Sequence, residues 1–538
     1  KKFLNKLKIA NKKISFTFIM NLEILKFSNE THYGNDFYNF INENWIKENE
    51  IPNDYQRWGT FQELEKANLN KLKKLFEQTC VHEKSNINFT KPILLYNQLN
   101  NIENRKANSN IKKIHEFINQ INNQNTHNNL FAQMVEFDVI FGVNQPINFV
   151  VQSSFKNANL NILHLSSGGL GLPDRDFYFL ESKKPICEKY CEFIEAYGKL
   201  FKISLDSKKI FKLESELAQR TFTKVQKRNK ELIDNLTTFN QFIIKNPKLK
   251  YLFKIFEKAN KVPDQVNITN PEYMGFLNNL IETIDLETWK QYFIFHLLLE
   301  FNYCLSNEIE KEYWNFYSKE LKGTETMKPQ WIRSIDNLNL IIGELIGQMY
   351  SSKYFKSNDK NLAQEIVLVI KKELADYLKN NDWMEPETKN KALEKLELMK
   401  IKIGYPDVIK KPYEKLILGE TNTLVENLII TKSFYNTHIL ESLYGELDRE
   451  KWLMNSHAVN AYYSPNMNEI VFPAGILQEP FFSANQDMAY NFGGFGMIIG
   501  HEITHGFDDE GAKYDGYGNL NNWWTENDFK KYKHKHFK

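Results

Sequence analysis

Three side chains late in the chain are spaced for chemistry: His501, Glu502 and His505, in Gly500-His-Glu-Ile-Thr-His-Gly506. Four residues along a helix make one turn plus about 40° and roughly 6 Å of rise, so both imidazoles leave the same face. Two nitrogens placed in this way can share a zinc ion at about 2.0–2.1 Å. Glu502 sits beside the pair, where a carboxylate can take a proton from water without binding the metal, and the spacing is that of zinc-activated hydrolysis. With 12 histidines in 538 residues, one accidental match has a chance of roughly 2%. Asp508 lies three residues past His505, near the same face. Either it accepts the second N–H of a ligating imidazole, or it is a surface acid of the polar turn that follows. His534 and His536 belong to a lysine-rich terminal run and read as solvated.

A helix must carry these groups. Phe495, Met497, Ile498, Ile499 and Ile503 make this segment apolar on most sides, which predicts a buried helix with buried imidazoles. Elsewhere the pattern is also mostly helical. Phe61, Leu64, Leu72, Leu75 and Phe76 give an apolar stripe, and 363–378 and 387–399 repeat apolar residues three and four apart, the second opened by Pro386. Residues 289–301 (WKQYFIFHLLLEF) are apolar nearly all round and predict a buried helix, with His296 as a satisfied core histidine. Extended signals are few: 148–153 is β-branched, and 469–472 is a short strand ended by Pro473. The asparagine-rich stretches 82–88 and 119–129 read as solvated connections, and the glycines at 168–171 as a turn into Leu172-Pro-Asp-Arg175.

Composition bounds the answer. The chain has 69 basic and 67 acidic residues, net charge +2, with 42% hydrophobic and 14% aromatic residues. This is a globular composition, long enough for at least two lobes, and it excludes the electrostatic footprint of a nucleic-acid binder. No apolar run reaches the roughly 20 residues that a bilayer span needs. The apolar stretch 14–22 is short and broken by polar residues, and Met20 is the expected start. Only four cysteines occur, Cys80, Cys187, Cys191 and Cys304. So few favour a reducing, cytoplasmic setting, with a secreted or membrane-anchored ectodomain as the alternative.

Longer motifs surround the metal-type helix: Asn460-Ala-Tyr-Tyr463, Ile470-Val-Phe-Pro-Ala-Gly-Ile-Leu477, Pro480-Phe-Phe482, Gly500-His-Glu-Ile-Thr-His-Gly-Phe-Asp508 and Asn522-Trp-Trp524. Upstream stand Asp36-Phe-Tyr38, Arg57-Trp-Gly-Thr-Phe61, Gly171-Leu-Pro-Asp-Arg175, Asn270-Pro-Glu-Tyr273 and Ile403-Gly-Tyr-Pro-Asp407. With these motifs the chain resembles the neprilysin family of zinc peptidases, from about Gly34 onward. Thr31, Ile41 and Asn42 stand where ectodomain members place cysteines, so the likeness is to the cysteine-poor members.

The resemblance implies a mainly α fold with a small β component: a two-lobed zincin with a thermolysin-like catalytic lobe and a helical lobe enclosing a cavity. It implies an N-terminal part at 28–230, a helical second lobe at 231–414 and a zinc-binding core at 415–538. The implied activity is zinc-dependent endopeptidase action on oligopeptides, with one Zn²⁺ per chain held by His501 and His505, and Glu502 as general base. Asn460 and Ala461 would bind the substrate backbone from an edge strand, and Arg57 would meet the C-terminal side of the substrate. Phe61, Ile476, Phe481, Met497 and Ile498 would line an apolar pocket. The family completes its zinc site with a glutamate tens of residues after the helix, a position past Lys538. The 538 residues alone are therefore expected to bind zinc weakly and to lack turnover. A catalytically inactive peptide-binding relative is the alternative reading.

Overall fold

The computed structural model describes residues 27–28, 30–78, 87–443 and 445–536. The segment 14–22, Cys80 and residues 82–86 lie outside the described residues. The chain divides into two compact units, one running to Gly59 and joined by Thr324–Thr326, the other comprising Thr60–Gly323 and Met327–Lys538.

In the first unit, α1 (Phe37–Glu48) starts at Asp36, whose carboxylate accepts from the Asn39 amide at 3.0 Å. Glu43 accepts from the hydroxyls of Ser28 and Thr31. The Asn53 carbonyl accepts from the amides of Glu325 and Thr326 at 3.0 and 3.2 Å, which brings that short return segment into the unit.

The second unit begins with α2 (Thr60–Gln78), whose buried residues Leu64, Leu72, Leu75 and Phe76 follow the predicted stripe, while Phe61 at its start is exposed. Helices α3 (Asn108–Asn122) and α4 (His127–Phe141) correct the expected loop at 119–129. Ile114, Phe117, Ile118 and Ile121 keep helical spacing and are buried, so the asparagines are only the wet face of a packed helix. The connection shrinks to four residues, and Thr126 Oγ1 caps α4 by accepting from the Asn129 amide. Strands β1 (Ile147–Ser153) and β2 (Asn161–Ser167) pair antiparallel. After α5 (Lys184–Leu200), which carries Cys187 and Cys191 as free thiols, come β3 (Leu236–Thr238) and β4 (Gln265–Ile268). They complete a sheet of order β1-β2-β4-β3. Helix α6 (Leu286–Glu300) is the buried helix read from the sequence, with Trp289, Tyr292, Phe293 and Phe295 fully enclosed.

Two helices then lead to the site: α7 (Ser357–Asn380) and α8 (Pro386–Leu398), with Pro386 in the first turn where its missing N–H costs nothing. Helix α8 runs directly into β5 (Lys400–Gly404), which pairs parallel with β7 (Glu469–Pro473). β6 (Tyr462–Ser464) pairs antiparallel with the other side of β7, so the order β5-β7-β6 leaves β6 at an edge. Every residue of β7 is buried. Helix α9 (Phe495–His505) carries the His-Glu-x-x-His motif, and α10 (Glu526–His536) ends the described chain, with His534 exposed as predicted. The fold is thus mainly α with a small β component. Among the described residues no helix is long and apolar enough to cross a membrane.

Candidate active site

Helix α9 is held from its start. The Phe495 amide donates to the Phe481 carbonyl at 2.9 Å, and the Phe495 ring meets Phe472 of β7 and Phe482 edge-on, at centroid distances of 5.1 and 5.7 Å. Phe495, Ile498, Ile499, Glu502 and Ile503 form its buried side. The expectation of buried imidazoles is corrected. The apolar residues three and four apart fall on one stripe, and Met497, His501 and Thr504 fall on the exposed side, with His505 half-buried. The carboxylate, rather than the ring pair, is the group taken out of water.

His501 Nε2 and His505 Nε2 lie 3.0 Å apart with their ring planes at 83°. On the far side of the second ring, His505 Nδ1 is 2.7 Å from Asp508 Oδ2. That carboxylate retains the proton on Nδ1 and leaves a lone pair on Nε2, directed at His501. Asp508 Oδ1 in turn accepts from the amides of Glu510 (3.0 Å) and Gly511 (2.8 Å), which fixes its rotamer. Burial raises the Glu502 carboxyl above the ordinary glutamate value, while His501, His505 and a backbone hydrogen bond from Tyr463 oppose that rise. Two converging nitrogen donors, one with its tautomer set by a carboxylate, suit a divalent ion such as zinc. Among the described residues no third histidine, cysteine or acid joins them in a metal-binding group.

The remaining predicted residues fall in three places. Ala461 is buried and Asn460 exposed, both just before β6, and Asn460 Oδ1 accepts from the Ala461 amide at 2.9 Å. The edge strand therefore starts one residue later than the pair expected to use it. Phe61 and Phe481 touch, with centroids 4.8 Å apart, and Ile476 and Ile498 lie buried in the same core. Met497 is 55% exposed. Arg57 belongs to the first unit, where it is exposed.

Sequence reasoning missed Lys395, Tyr463 and Asn468. Asn468, at φ 46° in the β6–β7 turn, donates from Nδ2 to the carbonyls of Lys395 (3.0 Å) and Gly516 (2.9 Å) and accepts from the Tyr463 hydroxyl (3.2 Å). Lys395 follows Thr388 and Ala392 at spacings of four and three on the buried face of α8. A lysine in phase with an apolar stripe was the available signal.

Residues 33–406 and again 460–538 match the patterns of peptidase family M13. Endothelin-converting enzyme 1 of Rattus norvegicus is 29% identical over 521 residues, covering 93% of this chain and 68% of its own length. Human neprilysin is 29% identical over 532 residues, covering 91% and 70%. Among solved structures, the inhibitor complex of the zinc metalloprotease ZMP1 of Mycobacterium tuberculosis superposes with a TM-score of 0.86 at 28% identity, over 95% of this chain and 78% of that one. PepO from Lactobacillus rhamnosis gives a TM-score of 0.85 at 26% identity, over 94% and 80%. A mainly helical chain with a His-Glu-x-x-His helix beside a short edge strand, matched by these patterns over most of its length, belongs to peptidase family M13, the neprilysin family, and is a metalloendopeptidase.

Proposed function

We propose that this chain is a zinc-dependent endopeptidase of oligopeptides, with His501 and His505 as ligands and Glu502 as general base. The observation that carries this reading is the approach of His501 Nε2 to His505 Nε2, 3.0 Å, beside the buried Glu502 carboxylate. When bound, zinc supplies Lewis-acid activation of the attacking water and the scissile carbonyl.

The chain's own residues do the rest. Asp508 holds the proton on His505 Nδ1, leaving Nε2 free to donate its lone pair. The Glu502 carboxylate takes a proton from water as that water adds to the peptide carbonyl, then delivers it to the leaving nitrogen. Its burial makes it a stronger base than a free glutamate, which suits the first of these transfers. An extended peptide adds alongside β6 through main-chain hydrogen bonds, with Asn460 and Ala461 at the strand's start as further partners. Phe61 and Met497, both exposed, offer apolar surface to a substrate side chain, with the buried Phe481 packed against Phe61 and with Ile476 and Ile498 in the core.

Cleavage of a fluorogenic oligopeptide by the full-length protein tests the reading. Chelation and Glu502→Gln are each expected to abolish turnover, with activity returning on zinc addition only in the parent. Cleavage that survives both treatments overturns it.

A further inference from the structure

Lys395 is 1% exposed, and such a cation is costly to bury unless its protons are taken up. Its partners are carbonyls and ring faces. Nζ donates to the Gly511 and Tyr514 carbonyls, each at 2.6 Å, and lies 5.8–5.9 Å from the ring centres of Phe507, Trp523 and Tyr463. Burial pulls its pKa down to about 7, against the pull of Asp515 and Asp508. Both carbonyls belong to the loop that leaves the His-Glu-x-x-His helix. That loop is pressed against the helix end: a Cβ on Gly511 would meet the His505 carbonyl oxygen at 1.8 Å, so only glycine fits.

A continuous path runs from this ammonium to the ligand. Gly511 gives its carbonyl to Lys395 and its amide to Asp508 Oδ1, and Asp508 Oδ2 accepts the hydrogen bond from His505 Nδ1. The Lys395 carbonyl is held by Asn468, which also receives the Tyr463 hydroxyl, and a backbone hydrogen bond from Tyr463 reaches Glu502. One lysine thus ties the loop behind the metal ligands to the strand in front of them.

We propose that Lys395 is a positioning residue of the metal centre: through Gly511 it holds the Asp508 carboxylate on His505 and so sets how firmly the histidine pair grips its ion. This rests on the proposed ligand pair. Lys395→Met retains the stem and the volume and removes the donors. Competition between the full-length protein and a chromophoric chelator for zinc is the measurement.

Lys395→Met is expected to weaken zinc retention about tenfold in the parent background and less than about twofold in an Asp508→Asn background, because both changes cut the same path. Equal losses in the two backgrounds, or no loss in the parent, overturn the proposal. Should Lys395→Met fail to fold by circular dichroism, Lys395→Arg and Lys395→Gln carry the test. Arginine, which can reach both carbonyls, should hold zinc within about threefold of the parent, and glutamine, with one amide, should lose more. The reverse ranking, or no difference, overturns it. His505→Ala separates the two readings. If it leaves zinc affinity unchanged the ligand assignment fails, whereas if it weakens zinc and Lys395→Met does not, only the role of Lys395 fails.

Discussion

Two of the histidine–carboxylate pairs among the described residues look alike locally and differ in what surrounds them. In the core, His296 Nε2 lies 3.0 Å from Glu214, and that carboxylate also accepts the hydroxyls of Tyr178 (2.7 Å) and Tyr190 (3.0 Å). Both side chains are within 1% of complete burial. At the site, His505 Nδ1 lies 2.7 Å from Asp508, but the ring is 43% exposed and its second nitrogen lies 3.0 Å from His501 Nε2, a second imidazole on the exposed side of the helix. The difference is in what is left over. The core pair is enclosed by further hydrogen-bond partners, whereas the site pair uses one nitrogen for support and turns the other to a second imidazole, the arrangement on which the proposed zinc site rests.

Four experiments break or sharpen this contrast, in falling order of effect. His505→Ala should lower peptide cleavage by at least about a thousandfold, roughly 4 kcal/mol of transition-state stabilisation, while urea unfolding shifts by no more than about 0.5 kcal/mol. Glu214→Ala should do the reverse: a loss of about 3–5 kcal/mol in urea unfolding, because His296 and two tyrosine hydroxyls are left buried without an acceptor. Equal damage to stability from both variants would erase the distinction. Asp508→Asn should weaken zinc retention by about 10–100-fold, or about 1.4–2.7 kcal/mol, read by chelator competition, with the fold unchanged.

The smallest effect concerns two further buried histidines. His164 donates to the Ser153 carbonyl, and His457 donates to Asn339 while its Nδ1 has no partner. Burial lowers both pKa values to about 4, so each binds its proton more readily when unfolded. Stability is therefore full above the ordinary value of 6.5 and declines as pH falls from there towards 4. By pH 5.5 the loss should be about 1.4 kcal/mol per histidine, measured by urea unfolding across pH. Replacing either histidine with glutamine should flatten that slope.

What the sequence makes legible here is what depends on near neighbours. The His501–His505 spacing, the all-round apolar run of α6 and the stripe of α2 from Leu64 onward are set by helical period, and each forms as read. The failures are of two kinds. At 119–129, composition outvoted period: asparagines on a wet face concealed Ile121, which is buried. In α9, a count of apolar residues stood in for their phase, so the imidazoles were expected inside when the stripe at 495, 498, 499 and 503 turns them outward. The support of the site is invisible for another reason. Lys395, Tyr463, Asn468 and Gly511 come from separate stretches that only the fold brings together, and no local pattern records their meeting.

The route of the chain through α8 and β5 has one more consequence. β5 pairs with β7, β7 with β6, and β6 borders Glu502, while the helix feeding β5 supplies the ammonium that anchors the loop after His505. The reactive apparatus thus leans on residues more than a hundred positions earlier. Anyone wishing to excise it as a portable module must cut upstream of Pro386, since a shorter piece would part the helix from the scaffolding that keeps it in register.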